Sequence, residues 1–288
     1  MKKLFLLCAL GGTLCLTGCF QSDTLVTVKP DGSGTVTETF VLGQAALDQM
    51  KQMAAGFENM GAGGQATNKT PAKPFEIMDE KKLRADATKM GAGVTFVSAK
   101  KVKTAEGEGY TVTYAFTDIN KLKINQNKAD SVSPPGGSEN GGMSVTSDNK
   151  PENFTFSFKK GSMSELIIHS PVQPPTASAT DDAKKKAKDT PPGSEEMQAQ
   201  MMGQMFKDMK INIAVQVVGK IEKTDAKYVD GSKVTLLAMD FNKLLADPAK
   251  LKIFAAAPPE TLEDSKKLMD SVPGMKVELR DTLNIRFK

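Results

Sequence analysis

The sequence predicts an α+β fold, an antiparallel sheet built from hairpins with helices packed on one face. Three observations carry that prediction. Apolar and β-branched residues alternate in short runs that come in pairs, tight glycine-containing turns join the members of each pair, and helical periods fall in separate blocks rather than between successive strands.

In chain order, Thr24 to Pro30 and Thr35 to Leu42 are strands joined by Asp31-Gly32-Ser33-Gly34, a hairpin turn with glycines available for positive φ. Asp31 lacks the alternating acidic ligands of a calcium loop. From Gln44 to Met60 the period changes, and Ala46, Met50, Met53, Phe57 and Met60 line one helical face. Residues 61–74 read as a loop. A second helix over Asp79 to Met90 places Leu83, Ala87 and Met90 on one side and stops at Gly91-Ala92-Gly93. Val94 to Thr104 and Tyr110 to Thr117 form the next hairpin, around Glu106-Gly107-Glu108-Gly109.

Residues 123–150 hold no period and are rich in Asn, Ser, Gly and Pro, so they read as a flexible insertion. Phe154, Phe156 and Phe158 alternate with Thr155 and Ser157 as a strand whose partner is Met163 to His169. A linker over 171–195 contains Pro174-Pro175 and the run Lys184-Lys185-Lys186-Ala187-Lys188, which reads as a solvated segment or as a contact with anionic lipid. A helix runs from Ser194 to Met209, Ile211 to Val218 is a strand, and Tyr228 to Val234 is a hairpin around Asp230-Gly231. Asp240 caps a short helix to Ala246, Thr261 to Ser271 is another helix, and Gly274 to Lys288 ends the chain as strand. The organisation is therefore an α+β region over 24–170 and a C-terminal α+β region over 196–288. Hairpins alone leave open whether these form one sheet or two domains.

The amino terminus addresses location. Met1-Lys2-Lys3 is cationic and Leu4 to Leu16 is apolar, too short for the roughly 20 residues of a membrane-spanning helix. Leu16-Thr17-Gly18-Cys19 resembles the lipobox of bacterial lipoproteins. That resemblance implies cleavage of residues 1–18 as a signal peptide, with Cys19 acylated as the first mature residue. It also implies the outer membrane, facing the periplasm, because Phe20 rather than Asp follows the cysteine. Residues 19–23 read as a lipid-anchored tether. Four extended residues reach at most about 15 Å, so the body sits close to the bilayer.

Composition excludes much chemistry. Losing Lys2 and Lys3 takes the 38 basic groups to 36 against 34 acidic ones, which predicts no nucleic-acid binding. Cys8 and Cys15 lie in the signal and lipid consumes Cys19, so the mature chain has no free thiol for disulfide, metal or nucleophile. The single histidine, His169, sits in neither a G-x-S-x-G nor an H-E-x-x-H setting. No catalytic residue, metal site or cofactor is expected.

Methionine stands out, at 16 residues. Met197, Met201, Met205 and Met209 step by four, without the Met-x-Met clustering or added histidines of cuprous sites, so they read as flexible apolar faces.

The order hairpin, two helices, hairpin after a lipobox resembles the LppM-type domain of bacterial lipoproteins. So does Val218-Gly219-Lys220-Ile221 followed by Asp225 to Val234, although no tryptophan follows Val234. The resemblance implies a sheet with helices over it, enclosing an apolar cavity that binds lipid or another apolar ligand. The expected function is thus a non-catalytic, membrane-anchored envelope lipoprotein that binds such a ligand. Its expected walls are Met50, Met53, Phe57, Met201 and Met205, above Phe154 and Phe156, unless these residues are simply core. The alternative is an assembly partner of another envelope protein, docking through the same helices.

Overall fold

The computed structural model describes residues 20–48, 50–52, 76–125, 153–171, 206–250, 264, 267 and 270–288. Two sheets face each other across one core. The larger is built from β1 (Phe20–Val28), β2 (Gly34–Gly43), β3 (Val94–Lys103), β4 (Gly107–Phe116), β8 (Lys210–Val217), β10 (Val229–Asp230), β11 (Lys233–Asp240) and β12 (Met275–Val277). Its order is β10-β11-β8-β1-β2-β4-β3, with β12 on β11. The smaller sheet has β5 (Lys123–Asn125), β6 (Asn153–Lys159), β7 (Ser164–His169), β9 (Ile221–Thr224) and β13 (Thr282–Phe287), in the order β5-β6-β7-β13-β9. Both sheets mix strands from the two halves of the chain.

The α+β class and mainly antiparallel pairing match the sequence reading. One pair departs from the hairpin rule, because β1 runs parallel to β8, from Gln21 opposite Lys210 to Val28 opposite Val217. The first strand is therefore central, with β2 on its other side. Such a pairing joins residues far apart in sequence, and no turn announces it.

Alternation along the strands sends every second residue of the large sheet inward. Val26, Val28, Val36, Val112, Tyr114, Phe116, Val215 and Val217 meet Phe154, Phe156, Leu166, Ile168, Leu283, Ile285 and Phe287 of the small sheet in a single apolar cluster. The turn between β1 and β2 is tied to the small sheet by a hydrogen bond from the Ser164 hydroxyl to Pro30 O, 3.0 Å. Gly32 sits at φ 86° with the Phe158 ring where its Cβ would be, so both the turn and this contact require glycine.

Helix α1 (Glu80–Lys89) begins at Asp79, whose carboxylate accepts from the Lys81 and Lys82 amides at 2.9 and 3.2 Å. Leu83 and Ala87 join the main core, and the Tyr114 hydroxyl donates to Leu83 O. Helix α2 (Phe241–Leu245) instead belongs to a separate apolar cluster of Phe241, Leu244, Val272 and Met275, so the described helices do not share one layer.

Several boundaries differ from the sequence reading. Strand β1 starts at Phe20 rather than Thr24, so residues 20–23, expected as tether, pair with β2, and 21–23 also pair with β8. Gly107 and Gly109, expected in a turn, lie within β4, and a Cβ at Gly109 would fall on Phe40 O. The chain turns earlier, with Thr104 N donating to Gly107 O at 2.8 Å. Residues 123–125, expected in the insertion, form β5 because Ile124 is buried opposite Phe154. The terminal strand is two strands, β12 and β13. Asp240 occupies the N-cap position of α2, but its side chain makes no cap hydrogen bond. The expected loop at 61–74, the insertion over 126–150 and the linker from 172 onward lie outside the described residues.

Candidate functional site

The inner face of the large sheet has two unlike ends. In register, Val28, Gly34 and Phe116 stand side by side, followed by Val26, Val36 and Tyr114, then Thr24, Glu38 and Val112. Beyond these come Ser22, Phe40 and Tyr110, and finally Phe20, Leu42 and Glu108. The first two ranks are sealed by the small sheet. Thr24 (3% exposed) and Glu38 (8%) form a buried polar border.

Past that border lies an aromatic strip. The Phe20 and Phe40 rings stack with centroids 6.1 Å apart, and Phe40 meets Tyr110 at 5.8 Å. All three are only partly buried. Ile211 and Met239 extend the apolar surface across β8 and β11, since Ser22 pairs with Ile211 and Ile211 with Met239. Toward β3, Lys101 stands opposite Tyr110, and Lys103 bonds Glu108 at 3.1 Å. That bond, together with the charges of Lys103, Lys51 and Lys101, holds the Glu108 carboxyl below its ordinary range. Lys51 is thereby placed at the same rim.

Burial, with the charges of Glu38 and Asp86 behind it, pushes the Tyr110 phenol up to about 12. It is a neutral hydrogen-bond donor at physiological pH and no base. The same causes raise Tyr114. The strip offers apolar and π contact with a polar border, which suits binding rather than bond making.

Among the residues expected to form the ligand or partner surface, Met50 is partly buried in the helical stretch 50–52 that follows β2. Cys19, Met53, Phe57, Met201 and Met205 lie outside the described residues. Phe154 and Phe156, expected beneath the ligand, are buried in the core between the sheets. Met209, last of the four-residue methionine steps, packs with Phe206 against the α2 cluster, where the Phe206 and Phe241 rings stack at 4.9 Å. Asp208 and Asn242 lock that corner, with Asp208 N donating to Asn242 Oδ1 at 2.9 Å and Asn242 Nδ2 to Asp208 Oδ1 at 3.0 Å.

The strip itself was not anticipated from sequence. Its signals are the alternation that puts Phe40 two residues from Glu38, and the placing of Tyr110 in a strand partner. His169, expected as a strand-end residue without a role, lies 3.0 Å from the Ser157 hydroxyl. That pair sits on the solvent face of the small sheet, and Ser157 is the ring's one hydrogen-bond partner among the described residues. Among the described residues no acid orients the imidazole as the third member that activates a serine does. No group of three or more His, Cys, Asp or Glu among the described residues is placed to hold a metal ion. The Ala226-Lys227-Tyr228 passage is a clamp. Lys227 N donates to Glu278 at 2.7 Å, and the Tyr228 hydroxyl lies 3.2 Å from Asp270.

No protein family and no curated protein matches the chain by sequence. In structure it is similar to the NMR structure of the folded domain of LppM from Mycobacterium tuberculosis, with 8% identity and a TM-score of 0.28 over 96% of this chain and 94% of that one. At that identity and score, nothing about fold or activity passes from that protein to this chain.

Proposed function

We propose that the chain is a non-catalytic envelope lipoprotein, anchored through acylated Cys19, whose aromatic strip binds a lipid or another apolar ligand beside the bilayer. The observation that carries this reading is a juxtaposition. Phe20, the residue after the lipobox cysteine, is itself the first ring of the partly buried strip Phe20-Phe40-Tyr110. The residue after the cysteine favours the outer membrane, with the body facing the periplasm. Partly buried apolar surface with few polar groups supports a binding role.

The test has two readouts. Cys19→Ala moves the protein from the membrane fraction to the soluble one and removes the acyl mass. The released Cys19→Ala protein, incubated with envelope lipid extract, gains a stoichiometric adduct in native mass spectrometry. Phe40→Ser with Tyr110→Ser loses that adduct while keeping its circular dichroism. A clean apo mass discards the ligand reading and turns attention to a protein partner.

A further inference from the structure

The way β1 is held fixes more than the fold. The strand is clamped on both sides along nearly its whole length, by β2 from Leu42 to Gly34 and by β8 from Lys210 to Val217. No leash therefore separates the acylated residue from the body, because Cys19 and Phe20 are neighbours about 3.8 Å apart at Cα. Whatever holds Cys19 holds the large sheet by its middle.

We propose that the protein stands end-on at the membrane, with the Phe20 end of the large sheet seated on the anchoring leaflet and the rings of Phe20, Phe40 and Tyr110 at its interface. This rests on the lipid-anchor reading above and deepens it by naming the occupant of the strip: the bilayer interface itself. The eight steps from Phe20 to Val28, at about 3.3 Å each, put the Val28 end about 26 Å further out. Tyr110, an apolar ring with a polar tip, suits the boundary between headgroups and acyl chains, and Phe20 and Phe40 suit its acyl side. The exposed Lys51, Lys101 and Lys103 beside the strip reach headgroups through their long stems.

Charge alone favours the opposite orientation. Lys29, Lys159, Lys160, Lys220 and Lys288 are all exposed at the Val28 end, where the described acidic neighbours are Asp31, Asp118, Glu222 and Glu165, the last opposite Lys159 and also paired with Arg286. A body tethered loosely to an anionic bilayer would turn that end inward. The two orientations are thus separable by experiment.

The chain has no tryptophan, so single reporters are clean. The acylated full-length mature protein carrying Phe40→Trp, Phe20→Trp or Val218→Trp is reconstituted into vesicles of brominated phosphatidylcholine, with and without phosphatidylglycerol. Val218 is 46% exposed at the far end, beside Val28. End-on seating quenches Phe40→Trp and Phe20→Trp several-fold more strongly than Val218→Trp in both vesicle types. Equal quenching at the two ends, or stronger quenching of Val218→Trp in anionic vesicles, overturns it. Flotation with the vesicles and the acyl mass on Cys19 report the anchor separately. A protein that floats with unquenched Phe40→Trp and Phe20→Trp overturns the seating alone, whereas one that neither floats nor carries acyl groups overturns both.

Discussion

The two ends of the large sheet's inner face share strands, register and alternation, yet one is fully sealed and the other only in part. At the Val28 end, Val26, Val28, Val36, Ile168 and Phe287 have no exposure. At the Phe20 end the same alternation leaves three aromatic rings partly buried. What differs is the second layer. Among the described residues the small sheet seals the first ranks most completely, so a strand's inward pattern makes sealed core where another element arrives to meet it.

Substitutions at the two ends sharpen or break this contrast. The largest difference is expected from Phe287→Ala against Phe40→Ala. The first opens a cavity in the sealed core and costs about 3–5 kcal/mol in a denaturant melt, while the second removes a partly buried ring and costs about 1–2. Equal costs would make the strip ordinary core. Gly109→Ala comes next, because its Cβ meets β2 backbone and not a flexible side chain; a loss of about 2 kcal/mol or more is expected in the same melt.

Tyr110 adds a pH-dependent difference. Its phenol ionises near the ordinary 10 when unfolded and near 12 when folded. Its contribution is therefore whole below pH 10 and is lost as pH rises toward 12, by about 1–2 kcal/mol. Tyr110→Phe lacks that component, and the gap between the two alkaline stability curves measures it. The smallest expected effect is at the helix over β3. Asp79→Ala costs about 1 kcal/mol through its lost cap, and Arg84→Ala less than about 0.5, because its bond to Glu80 is exposed.

Features written in neighbouring residues were legible in the sequence. The Asp31–Gly34 turn, the start of the second helix at Asp79, the alternation of Phe154 and Phe156, and the Asp230-Gly231 hairpin all depend on residues close in the chain, and all recur in the structure. Features made by distant partners were not. Gln21-Ser22-Asp23 carries no strand pattern and is strand because β8 and β2 pair with it. Lys123–Asn125 is too short to announce itself within a polar stretch, and pairing with β6 makes it a strand. The aromatic strip is a cross-strand object, so neither Phe20, Phe40 nor Tyr110 identifies it alone. The methionine faces proposed as ligand walls fall largely outside the described residues, apart from Met50 and the core-packed Met209.

The parallel pairing of β1 with β8 also sets the order in which the molecule is made. Asp23 meets Asn212 through a 2.7 Å hydrogen bond that spans 189 positions of sequence. Until synthesis has passed β8, the middle strand of the large sheet has one open edge, and long-range pairing of this kind is slow to form. On the export reading proposed above, the chain is thereby kept from completing its fold while its leading segment is handed to the translocation machinery, and it closes only once its later strands have followed.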